Sequence, residues 1–143
     1  MQRTIVTAFA AVVLAGSAAD AQTAGDCSLS TLRGAYGYTV TGVTGITGGS
    51  DGTPFAAVGV LTFDGDGRFE NVRTVSSNGA IQRNVPGTGT YTLGRDCRGT
   101  LTFSGGARGG AMENDIVVDD GGKELRLISA GSGTVLTLIG RKR

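Results

Sequence analysis

Residues 55–76 decide the fold: FAAVGVLTF (55–63), then DGDG (64–67), then RFENVRTVS (68–76). Two runs rich in β-branched and aromatic residues flank four residues that favour turns and accept positive φ at low cost, which is the pattern of a β-hairpin. In the first run Val58, Val60 and Thr62 alternate with Gly59, Leu61 and Phe63, apolar on both sides, so this strand is expected to be well buried.

The same pattern extends outward in both directions. Further runs read as strands are Ala35–Val43, Ala80–Val85, Gly89–Leu93, Arg98–Phe103, Met112–Val118, Glu124–Ile128 and Thr134–Ile139. Turn residues separate them at Ser77-Asn78-Gly79, Gly94-Arg95-Asp96, Asp119-Asp120-Gly121-Gly122 and Gly131-Ser132-Gly133. With 26 glycines and only 2 prolines, the chain reads as about nine short strands joined by tight turns, each antiparallel to the next. Such a meander closes into an up-and-down barrel or folds into a sandwich. Tyr36, Tyr38 and Val40 form the bulky face of the first strand. Glycines within strands, such as Gly37, Gly59 and Gly89, are the device by which curved barrels bend. The helical signal beyond the N-terminal region is one turn at Ser28–Leu32, capped by Ser28 and ended before Gly34. Leu61-Thr62-Phe63 is echoed by Leu101-Thr102-Phe103, which reads as two similar strands rather than an internal repeat.

The N-terminus carries Arg3, an apolar run from Ile5 to Gly16, and small residues at Ala19 and Ala21. This is the three-part layout of a secretory signal peptide, with cleavage expected after Ala21; the apolar run is too short to span a membrane. Residues 1–21 are thus read as signal peptide and 22–143 as a single β-barrel domain, exported to the periplasm or the extracellular space, with no transmembrane segment after cleavage. Loss of Arg3 and Asp20 leaves the formal net charge at +1, and Lys and Arg are scattered except at Arg141-Lys142-Arg143, so no nucleic-acid partner is implied. The two cysteines, Cys27 and Cys97, lie beyond the signal in a chain without histidine, and are read as a disulfide rather than a metal site.

Several segments together resemble a known group. Cys27 with Ser28–Tyr38, Pro54–Gly67, Gly87-Thr88-Gly89-Thr90-Tyr91-Thr92 and Asp96-Cys97-Arg98-Gly99-Thr100-Leu101 resemble the allene oxide cyclase barrel-like domains of exported bacterial proteins, over most of residues 27–140. The resemblance implies an eight-stranded antiparallel barrel, with one of the nine runs split or peripheral, and an interior able to hold an apolar molecule. No functional residue of that family maps one by one onto this chain.

The absence of histidine removes the usual nucleophile triads and His-rich metal sites. Candidates for acid–base or positioning chemistry are then Tyr36, Tyr38 and Tyr91, which can present hydroxyls to a barrel interior, and the paired carboxylates Glu113 and Asp115, with a polar outer face as the plainer account of that pair. Asp64 and Asp66 have the oxygen density of a cation loop but lack its remaining ligands, and a hairpin turn explains them better. Gly105–Gly110 does not follow phosphate-loop spacing and reads as a mobile loop at a barrel mouth. No cofactor is expected. The favoured function is a module binding a small apolar molecule in the barrel. The alternatives are a cofactor-independent isomerase or cyclase, and a filled barrel serving as a structural or interaction domain of the envelope.

Overall fold

The computed structural model describes residues 26–105 and 110–143. The expected signal peptide at 1–21 and the centre of the Gly105–Gly110 loop lie outside the described residues. Eight strands form one closed antiparallel barrel in sequence order: β1 Gly34–Thr44, β2 Thr53–Phe63, β3 Arg68–Ser77, β4 Ala80–Tyr91, β5 Arg98–Phe103, β6 Met112–Asp119, β7 Glu124–Ser129 and β8 Thr134–Lys142. β8 pairs back onto β1, Thr39 opposite Ile139, so no sandwich forms and the sheet is closed. Among the described residues no helix is long and apolar enough to cross a membrane.

The runs Ala80–Val85 and Gly89–Leu93 are one strand rather than two. Pro86, Gly87 and Thr88 continue the pairing with β3, opposite Val72, Asn71 and Glu70. The break that the sequence suggests is instead a bulge. The register shifts between Arg73 and Val75, and Asn84 adopts φ 55° to absorb the extra residue in β4. β5 ends at Phe103, opposite Gly89, so β4 pairs with β5 only through Gly89–Tyr91. The β3–β4 hairpin therefore projects beyond that part of the wall.

β2 is also not buried on both faces. Its inner residues Leu61 and Phe63 are 0% and 2% exposed, whereas outward-facing Val58 is 55% exposed. The reason is architectural: a single-layer barrel has nothing on its outer wall. Val72, Val117, Ile128, Val135 and Ile139 are exposed in the same way.

One end is plugged. The 3-10 turn Leu29–Leu32 lies across the end where β1 begins, and Leu32 is fully buried in the core. Cys27 and Cys97 are joined in a disulfide with their Cα atoms 5.0 Å apart, which fastens the plug to the β4–β5 connection. The Tyr91 hydroxyl donates to the Leu29 carbonyl at 2.9 Å, and the Tyr36 hydroxyl donates to the Gly122 carbonyl. Beneath the plug, Phe63 stands edge-on to both Tyr36 and Tyr91, with ring centroids 5.4 and 5.0 Å apart. The two Leu-Thr-Phe segments both turn Leu and Phe inward. Because β2 and β5 run oppositely, Phe63 packs at the plugged end and Phe103 toward the other.

Candidate functional site

Register decides what the interior of the unplugged half contains. Tyr38 of β1 is opposite Gly59 of β2, and Gly59 is opposite Arg73 of β3. Since Gly59 contributes no side chain to this row, the two long side chains meet above it. A Cβ there would overlap the Val72 carbonyl and sit 2.8 Å from Arg73 Cβ. One row nearer the plug, Asn71 is opposite Gly87, and a Cβ at Gly87 would overlap Asn71 Oδ1. Gly89 in turn leaves room for the Phe69 ring. These three glycines thus provide space for large inward side chains.

The product is a polar group at mid-height inside a largely apolar barrel. Asn71, 2% exposed, donates through Nδ2 to the Tyr38 hydroxyl at 3.2 Å, while its Oδ1 has no partner among the described residues. Arg73 is half-buried, its guanidinium carbon 5.7 Å from the centre of the Phe103 ring. Its buried Nε also lacks a partner among the described residues, and so does its charge: no carboxylate is paired with it. Burial raises the pKa of Tyr38, and the nearby Arg73 charge and the Asn71 hydrogen bond pull it back in part. Asn114, 1% exposed, is by contrast satisfied, donating to the Leu101 and Met112 carbonyls at 2.9 and 3.0 Å.

From this group toward the unplugged end the β1–β3 wall carries Val40, Ala57 and Val75, small side chains each 8% exposed. Toward the plug it carries Tyr36, Leu61, Phe63 and Phe69, at 0–2%. The plugged half is thus a packed core; in the other half these smaller groups of β1–β3 face buried Phe103, Leu136 and Leu138, with Phe55, Val85 and Met112 half-buried near its rim.

The residues singled out by sequence are dispersed. Of the three tyrosines, Tyr36 and Tyr91 spend their hydroxyls on backbone carbonyls at the plug. Burial raises the pKa of both, that of Tyr36 to about 12. Tyr38 alone joins the interior polar group. Glu113 and Asp115 are exposed on the outer wall of β6, opposite Thr102 and Thr100 of β5. Asp64 Oδ1 accepts the backbone N–H groups of Asp66 and Arg68 at 2.7 and 3.0 Å, which also holds its pKa below the usual carboxylate value, and Asp66 pairs with Arg33 at 3.6 Å. That is the bonding of a tight turn. Among the described residues no three potential metal ligands gather.

Two shallow concavities mark the outer wall, one around Arg98, Asp115 and Arg126, the other around Thr39, Val58 and Ile139. Arg126 in the first is engaged by Glu124 at 2.7 Å. Both lie on the outside of the barrel.

No protein-family model and no curated protein matches the chain. Among solved structures it is similar to a redesigned β-barrel, mFAP1, bound to DFHBI, with a TM-score of 0.55 and 18% sequence identity over 80% of this chain and 98% of that one. At this identity the likeness concerns the fold, and it agrees with the closed eight-stranded barrel.

Proposed function

We propose that the protein is an exported barrel, similar to the allene oxide cyclase barrel-like proteins, that binds a small, largely apolar molecule in its unplugged half. One observation carries this reading: an apolar barrel interior holds polar atoms of Asn71 and Arg73 that the described residues leave without partners. Orphaned buried polar groups cost on the order of 1–3 kcal/mol each, and a bound molecule that satisfies them recovers that cost. Small side chains between this group and the rim support the same reading. So does the designed barrel of related shape that was solved with a small molecule bound. The Cys27–Cys97 disulfide supports a location outside the reducing cytoplasm.

A catalytic role as isomerase or cyclase would rest on Tyr38, because no carboxylate among the described residues faces the interior. Binding needs no such group. The test is native mass spectrometry of the mature protein purified from its own envelope extract, followed by titration of the stripped protein with an apolar fluorescent probe. The expected result is a one-to-one adduct and probe binding that Ala57→Trp, which fills the unplugged half, abolishes. Absence of both adduct and probe binding would overturn the proposal in favour of a filled structural barrel.

A further inference from the structure

We propose that the open edge of the β3–β4 hairpin docks a short extended peptide of a partner protein, added as an antiparallel strand along Ile81–Arg83 with a carboxylate side chain opposite Arg83. The edge needs no ligand inside the barrel. β4 runs from Ala80 to Tyr91, yet β5 pairs only with Gly89–Tyr91, followed by one hydrogen bond from the Ser104 N–H to the Thr88 carbonyl at 2.9 Å. On its other side the hairpin is backed to the tip, since β2 stays paired with β3 as far as Phe55 opposite Ser77. The closed barrel therefore retains a strand edge here, and a strand edge is a template for a further strand.

The backbone groups on that edge point outward from the hairpin. The two-residue loop Asn78-Gly79 closes on the pair Ser77 and Ala80, whose N–H and C=O groups face each other. By alternation Gln82, opposite Val75, also turns its backbone groups toward β3, and Ile81 and Arg83 turn theirs to the open side. Residues 80–84 are all exposed, and no backbone group of a described residue outside β3 pairs with Ile81 or Arg83. An added antiparallel strand exchanges a pair of hydrogen bonds with each of the two. The window is short. Asn84, at φ 55°, bends the strand, and Pro86 has no N–H to offer.

Side chains set the chemistry of the partner. Ile81, 50% exposed, and Arg83 lie on the outer face, and no carboxylate among the described residues pairs with Arg83. Cross-strand pairing favours an acidic residue opposite Arg83 and a β-branched one opposite Ile81. Because the added strand runs against β4, the acidic residue comes first, two positions before the β-branched one. A second copy of this edge would set two Arg83 side chains on one outer face without a counter-charge, which disfavours self-pairing.

The probe is the acetylated and amidated pentapeptide Thr-Glu-Thr-Val-Thr, titrated into the full mature protein and followed by NMR with amide hydrogen exchange. The expected result is exchange at the Ile81 and Arg83 amides slowed at least about fivefold at saturation. N-methylation of the peptide valine removes the N–H that meets the Ile81 carbonyl while leaving the protein untouched, and should weaken binding about tenfold. Arg83→Glu should weaken the peptide by a similar factor and bind Thr-Lys-Thr-Val-Thr in its place. No protection of the two amides at about 1 mM peptide, or equal binding of the N-methylated peptide, would overturn strand addition. Unchanged binding by Arg83→Glu would overturn the carboxylate assignment. Protection of the same amides that grows with protein concentration, without peptide, would overturn the proposal in favour of a second copy.

Discussion

Breaking the Cys27–Cys97 disulfide should test how the plug and the barrel are coupled. The bridge spans 70 residues of sequence, and loop closure of that length removes about 4 kcal/mol of unfolded-state entropy at 25 °C on the chain-entropy model. Other contacts between the plug and the β4–β5 connection contribute little on this scale. The Asp26–Arg95 ion pair, at 2.9 Å, joins side chains that are 77% and 83% exposed, and such pairs are worth about 0–1 kcal/mol. For a domain of this size 1 kcal/mol moves Tm by roughly 4 °C, so a Cys27→Ser/Cys97→Ser variant should melt roughly 15 °C lower than the oxidised protein. The assay is thermal unfolding by far-ultraviolet circular dichroism, with the wild type under oxidising and reducing conditions as a second comparison. The reasoning requires the plug and barrel to unfold together. If Leu32 and the turn before it leave the barrel first, the cross-link restrains a segment already free, and the main transition does not register its loss. A change in Tm of less than roughly 3 °C would refute the coupled picture, and hydrogen exchange at the Thr31 and Arg33 amides would then show the plug opening at lower free energy than the strands.

Two further predictions concern the interior. All three tyrosines have pKa values raised above 10.0, Tyr36 to about 12, with burial as the first cause in each and the neighbouring Tyr91 as the second for Tyr36. A raised folded-state pKa means that stability is intact below pH 10 and is lost as pH rises from 10 through 12, by at most ~3 kcal/mol from Tyr36. Phenolate absorbance should therefore rise above the ordinary tyrosine range and coincide with loss of the β-sheet signal; phenolate formation at the ordinary value with the barrel intact would contradict it. Second, Gly87→Ala forces a methyl group against Asn71 Oδ1 and should cost about 1–3 kcal/mol in urea unfolding. Asn71→Ala in the same chain should remove most of that penalty, and strictly additive costs would show that the overlap is relieved in some other way.

Much of the barrel is legible in the sequence because its signals are local. Alternation places Tyr36, Tyr38, Leu125, Leu127, Leu136 and Leu138 on one face, and all six are buried. The turns at Asp64–Gly67 and Ser77–Gly79 announce themselves by composition. β4 misreads as two runs because Pro86 and Gly87 are usually strand breakers. In the barrel, Gly87 is wanted for the space it leaves to Asn71, a demand made by a neighbouring strand rather than by the local chain. The outer faces misread for a similar reason. Val58 and Val60 look buried when β2 is taken alone, and only closure of one sheet on itself leaves Val58 in solvent.

The interior polar group escapes a reading of single strands, yet half of it follows from the hairpin on which the fold rests. In β3 polar residues occupy both faces, Glu70 and Thr74 outward and Asn71 and Arg73 inward, so alternation by itself gives no contrast. Phe69 and Val75 set the phase. Asp64 N–H donates to the Arg68 carbonyl across Gly65-Asp66-Gly67, so Phe63 lies opposite Phe69, and counting back from that pair brings Gly59 opposite Arg73. An arginine facing a glycine on the inner wall is therefore derivable from the turn length and the phase of two apolar residues. The meeting of Tyr38 with both is not. It depends on the register of β1 against β2, set across the connection between Thr44 and Thr53, whose length admits several registers. Local chemistry can thus identify an inward charge, while the tyrosine that meets it is chosen by pairing over a longer loop.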